Sequence, residues 1–141
     1  MLDVKIKRLS DNAIIPTYGT SGSAGLDLYS TIDAHLAHEL MISLDIALEI
    51  PEGYVGYIVP RSSLTKIGID CSIGTIDSDY RGNIKVQLIN RNYHKMGLFF
   101  IRKGQRVAQL VIMPLPKVNL VQSDILSDTE RDTNGFGSTG T

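Results

Sequence analysis

The sequence predicts an all-β chain, folded as an antiparallel sandwich or barrel. Three observations carry that expectation. Short runs rich in Val, Ile, Leu and Tyr recur along the 141 residues, separated by Gly, Pro and Asp turn formers. Several of the runs alternate with period two, the spacing of a strand with one wet face. With 43% apolar residues and 21% charged residues, the chain has enough core formers for one domain and too few residues for two comfortable ones.

Taken in order, "VKIKRL" at the start alternates charge with apolar residues. In "TIDAHLAHELMISL" the three- and four-residue spacing of His35, His38 and Ile42 suits a helix, whereas the following "LDIALEI" reads as extended, and we expect mainly strand over the whole stretch. "YVGYIV" follows the turn formers Pro51, Glu52 and Gly53. "IKVQLIN" puts Ile84, Val86 and Leu88 on one face and Lys85, Gln87 and Ile89 on the other. "RVAQLVIM" and "VNLV" complete the series of expected strands. From Ser127 the chain turns polar and glycine-rich, so we expect a domain over 1–126 and a flexible tail over 127–141.

The charge balance, with a net charge of −1, lacks the basic excess of a chain that grips nucleic acid through its phosphates. The apolar stretches are far short of a membrane span, and the N-terminus lacks a signal-peptide core, so neither nucleic acid nor membrane is expected as a partner. One cysteine, Cys71, forms no internal disulfide, which fits a reducing, cytoplasmic location. It has no neighbouring His to mark it as a nucleophile, and a small buried side chain is the expected role. The three His show no metal-ligand spacing.

Three stretches combine residues able to do chemistry. In "VPRSSLTKIGI" the forked donors of Arg61 are followed by the hydroxyls of Ser62 and Ser63, a set suited to phosphate or carboxylate; an ordinary loop whose Ser caps a helical turn over Leu64 to Ile67 accounts for them equally. In "GTIDSDYRGNI" turn chemistry explains Asp, Ser and Gly but does not demand Tyr80. A carboxylate at the bend of such a hairpin is able to act as general base on a water beside a phosphate, with Asp79 a turn residue or an Arg partner. In "RDTNGFGSTG" the glycines free the backbone to converge on an anion, and the lone Phe136 is suited to stack on a nucleobase. An unstructured terminus with an incidental Phe explains the same residues.

In order along the chain stand "SAGLDLYS", "PRSSLTKIGI", "GTIDSDYRGNI", "GQRVAQLVI" and "RDTNGFGSTG". This series resembles the five-motif pattern of the trimeric dUTPase family, from about Pro16 to Thr139. The resemblance implies a jelly-roll-like fold, a homotrimer with active sites shared between subunits, and Mg²⁺-dependent hydrolysis of dUTP to dUMP and pyrophosphate. It implies Asp77 as the general base that activates the attacking water. Tyr80 would lie under the deoxyribose, and backbone around Gly74, Thr75 and Ile76 and near Lys85 would read uracil. Arg61, Ser62, Ser63 and Gln109 would hold the phosphates, and Asp27 would hold a water on Mg²⁺ without ligating the metal. Arg131, Gly137, Ser138 and Thr139 would close on the γ-phosphate while Phe136 stacks on the base.

The chain departs from the pattern at Ser63, Asp132 and Asn134, where glycines are usual, and at Cys71, where many bacterial members carry a uracil-binding Asn. A related dCTP deaminase would need a glutamate near the base-binding hairpin, and 67–86 has none. A non-catalytic regulatory relative would be expected to lose the base. A ligand-free β interaction module leaves the joint presence of Arg61, Asp77, Tyr80 and Phe136 as accident.

Overall fold

The computed structural model describes residues 2–130, 132 and 133. Among these lie twelve strands: β1 (Lys5–Arg8), β2 (Thr17–Tyr18), β3 (Leu26–Tyr29), β4 (Ala34–Leu36), β5 (Glu39–Ser43), β6 (Ile46–Glu49), β7 (Tyr54–Val59), β8 (Ile69–Cys71), β9 (Gly74–Ile76), β10 (Lys85–Asn90), β11 (Phe99–Ile101) and β12 (Arg106–Pro114). Two one-turn helices, α1 (Ser62–Thr65) and α2 (Tyr93–Met96), interrupt them. The strands form antiparallel sheets in the orders β2-β3-β12-β7-β9, β5-β10-β8, β1-β6 and β11-β4. Together they make a jelly-roll-like β fold.

One core joins the sheets. Leu28, Leu36, Ile42, Ile58, Ile69, Val86 and Leu110, drawn from seven strands, are buried in the same cluster. The pattern in β10 is as its alternation predicts: Val86, Leu88 and Asn90 face in, Lys85 is exposed and Gln87 and Ile89 are half-buried. The ambiguous stretch is strand, as expected. Pairing of β4 with β11 and of β5 with β10 buries Leu36 and Ile42 and leaves His35 and His38 exposed, so tertiary pairing overrides their helical spacing.

Three expectations are corrected. "VNLV" is not a strand: residues 115–130 carry no helix or strand, and Val118, Leu120 and Val121 are 77–91% exposed. The helical turn begins at Ser62 instead of Leu64, and Arg61 occupies the capping position with no side-chain capping bond. Residues 74–84 are not a hairpin. Strand β9 pairs with β7, while β10 pairs with β5 and β8, so the connection crosses between sheets.

Cys71 is buried at the end of β8, as expected, and burial together with the neighbouring Asp70 charge pushes its thiol up to about 11. A thiol held that high is almost wholly protonated at neutral pH, and only the thiolate is nucleophilic. Native protein should therefore resist alkylation at pH 7, and addition of guanidinium should expose one reactive thiol per chain. Fast labelling of the folded protein would contradict this account of the site.

Candidate active site

Two groups of predicted residues lie at opposite ends of the five-stranded sheet. The first forms around Asp27 on β3. Its carboxylate is only 5% exposed and accepts hydrogen bonds from Arg61 Nε at 3.0 Å, Arg106 Nη1 at 3.2 Å and Gln109 Nε2 at 3.4 Å. Pro60 ends β7 by removing a ladder donor, which carries Arg61 off the sheet and back over Asp27. The serine that replaces the usual glycine is used here: Ser63 Oγ accepts from Arg61 Nη1 at 3.3 Å. Ser62 is exposed at the start of α1. Gly25 of "SAGLD" sits in tight space, since a Cβ there would lie 3.1 Å from Gln109 Cβ and 3.3 Å from Val111 Cγ2 and would press both side chains back by a few tenths of an ångström.

Arg106 was not singled out from the sequence, and the reason is geometric. Arg106 and Gln109 are three residues apart, so a regular strand would send them to opposite faces. A bulge in β12 changes this. Arg106 pairs with Tyr29, Ala108 with Leu28 and Gln109 with Asp27, so Val107 is an extra residue and both Val107 and Ala108 reach the core. Arg106 is thereby returned to the face of Asp27 and Gln109. Two guanidinium groups then share one carboxylate, and the cluster keeps a net positive charge.

The second group is the crossover from β9 to β10. Strand β9 is the edge of its sheet, and Lys85 of β10 pairs with Ser43 of β5 on one side only, because the β8 pairing begins at Leu88. The facing backbone edges of 74–76 and of Lys85 therefore make no ladder bonds with each other. A cleft of about 270 Å³ lies here, lined by Gly74, Thr75, Ile76, Asp77, Tyr80 and Lys85 among others. Asp77 is exposed, and its carboxylate has no hydrogen-bond or ion-pair partner among the described residues. Its carbonyl accepts from the Tyr80 N–H at 3.1 Å, closing the turn. Arg81 folds back on the Ser78 and Tyr80 carbonyls instead of Asp79, which leaves Asp79 as a turn residue. A larger cleft of about 880 Å³ lies on the other side of Asp77 and mixes Asp3, Glu49 and Glu52 with Lys5, Arg81 and Lys117.

The two groups do not meet within one chain. Ile76 is level with Gly56 on one side of β7, and Gln109 is level with Val59 on the other. At about 3.3 Å per residue and about 4.8 Å between strands, Ile76 and Gln109 are roughly 14 Å apart, and Asp77 is one residue further off. The expected roles of Arg131, Phe136, Gly137, Ser138 and Thr139, and the departure at Asn134, lie outside the described residues. Asp132 is described. It adopts φ +46°, the left-handed conformation for which glycine is the usual residue, with its N–H on Thr129.

No group of three metal-ligating side chains occurs among the described residues. The donor set suits a cation carried by a polyphosphate better than one caged by the chain. A carboxylate offers about four acceptor sites, and at Asp27 three are taken, which leaves one acceptor position on Oδ2.

Geometry of this kind, an unpaired carboxylate beside a backbone-edged slot and a separate cationic clamp, suits hydrolysis of a nucleoside triphosphate. Residues 11–140 match the dUTPase family. A deoxyuridine 5′-triphosphate nucleotidohydrolase of Hydrogenobaculum sp. (strain Y04AAS1) is 46% identical, with 96% of each chain covered. A variant dUTPase of Staphylococcus bacteriophage 80alpha, solved with dUpNHpp, superposes with a TM-score of 0.93 at 30% identity over 99% of each chain. A variant dUTPase from phage phi11 of S. aureus, solved to define a structural Mg(II) ion, gives a TM-score of 0.81 at 27% identity, covering 87% of this chain and 97% of that one. The chain belongs to the dUTPase family, enzymes that hydrolyse dUTP.

Proposed function

We propose that this dUTPase-family enzyme cleaves dUTP to dUMP and pyrophosphate by attack of a water, activated by Asp77, on the α-phosphate. The observation that carries the proposal is the state of Asp77: exposed, without a partner among the described residues, at the lip of the slot between β9 and β10. An ionised carboxylate so placed accepts a proton from water, and the slot supplies what a pyrimidine needs. The free backbone edges of Gly74, Thr75 and Ile76 and of Lys85 carry the donors and acceptors that pair with a uracil edge, while Tyr80 offers its ring to the sugar and opposes a 2′-hydroxyl.

Arg61, Ser62, Ser63 and Gln109, together with Arg106, hold the phosphates. Positioning and charge neutralisation do most of the work in phosphoryl chemistry. Mg²⁺, when bound to the triphosphate, neutralises charge on the phosphate oxygens, and Asp27 holds one of its waters. Arg131, Phe136, Gly137, Ser138 and Thr139 close over the substrate as a lid that excludes water.

The distance between Asp77 and the clamp supports a composite site. Arg61 and Arg106, the clamp residues of longest reach, are both bonded to Asp27, which fits a clamp supplied to Asp77 by another subunit of a homotrimer. Residues 115–130 fit that reading, because Val118, Leu120, Val121, Ile125 and Leu126 are each at least 77% exposed, uncovered by any of the described residues. In the cell the reaction would keep uracil out of DNA and supply dUMP for thymidylate synthesis.

Pyrophosphate release measured with Mg²⁺ on dUTP, dCTP, dTTP and UTP separately tests the reading. Release from dUTP alone is expected. Equal release from UTP would remove the sugar selection assigned to Tyr80, and no release from any of the four would leave a nucleotide-binding protein without the reaction.

A further inference from the structure

We propose that Gly82 is a positioning residue that sets where the Tyr80 ring lies, and through it the preference for deoxyribose over ribose; the inference rests on the sugar-facing role given to Tyr80 above. No positive φ is recorded at Gly82, so backbone conformation does not call for glycine there. Space does. A Cβ at this position would stand 2.3 Å from the Tyr80 hydroxyl oxygen, 2.5 Å from Cζ and 2.9 Å from Cε2. Real Cβ atoms do not approach that closely, so the ring lies in room that only a glycine leaves.

The floor under the ring is held in place. The Tyr80 hydroxyl donates to the Asn83 carbonyl at 3.2 Å. The Asn83 side-chain amide donates to Asp45 Oδ1 at 3.0 Å, and Ser10 donates to Asp45 Oδ2 at 2.8 Å. On either side of Asp45 the backbone is tied to the next residue of the loop, with the Leu44 N–H on the Ile84 carbonyl at 2.9 Å and the Ile84 N–H on the Ile46 carbonyl at 2.8 Å. Asp45 itself adopts φ +55°, an uncommon conformation maintained by these bonds. Four hydrogen bonds hold the seat, whereas the ring is held on it by the single bond of its hydroxyl, so the ring is the part that yields. A methyl at Gly82 displaces the ring and leaves the fold intact.

The test is a double-mutant cycle on Gly82→Ala, Tyr80→Ala and the combined variant, reading kcat/KM for dUTP and for UTP. Gly82→Ala is expected to reduce the dUTP-to-UTP preference on the order of 10- to 100-fold, the scale set by ångström misplacement of a positioning group. The double variant should match Tyr80→Ala, because the methyl has nothing left to displace. A full extra loss in the double variant would overturn the proposal, as would an unchanged preference in Gly82→Ala. If Tyr80→Ala itself keeps wild-type preference, the assignment of Tyr80 fails and the proposal with it. Should Gly82→Ala fold poorly, the double variant, with the ring removed, is expected to melt where Tyr80→Ala does; a further drop below Tyr80→Ala would show that Gly82 serves the backbone.

Discussion

Asp77→Asn is expected to lower kcat for dUTP by on the order of 10²- to 10⁴-fold, the contribution of a positioned general base. The amide matches the carboxylate in shape and cannot accept a proton at neutral pH. Because the Asp77 carboxylate has no partner among the described residues, its loss leaves no group stranded, and the melting temperature should not fall. Nucleotide affinity, measured by calorimetry, should stay near that of the wild type. A variant with unchanged kcat would remove Asp77 from the chemistry; one that no longer binds dUTP would make it a binding residue.

The second large effect concerns where the site is built. Asp77→Asn and Arg61→Ala should each be nearly inactive as pure proteins. If every site takes Asp77 from one subunit and Arg61 from its neighbour, unfolding and refolding the two together in equal amounts produces sites in which both residues are intact. In a cyclic trimer with random assortment these amount to about one quarter of all sites. Recovery of about that fraction of wild-type activity is expected. If both residues served one site within a chain, mixing would recover nothing, and the composite reading would be lost.

Much of the fold was legible because alternation reports burial directly. In "IKVQLIN" Ile84, Val86 and Leu88 are buried and Lys85 is exposed, as the alternation requires, and the same period turns the polar Asn90 inward and leaves Ile89 half-buried. The same rule misled at "VNLV": apolar residues signal that something covers them, and local sequence does not say whether the cover is the same chain. The stretch at 74–84 was legible as a turn with surplus chemistry, yet its strands pair elsewhere. Whether two neighbouring strands pair with each other depends on β5, β7 and β8, which lie up to tens of residues away. Asp45 illustrates the limit. It braces Asn83 from 38 residues upstream, and nothing around it in the sequence marks it as part of a site.

The bulge at Val107 bears on how fast a substrate arrives as well as how it is held. By returning Arg106 to the face of Asp27, it changes the local balance from one cation against one anion to two against one. A neutral pair casts a short-ranged field, whereas an excess positive charge attracts a polyanion before contact and raises its capture rate, more so in dilute salt. One irregularity in a strand thus acts on diffusion. The same nine residues laid down as a regular strand would keep β12 between its neighbours, and would turn away from solvent the charge that draws the triphosphate in.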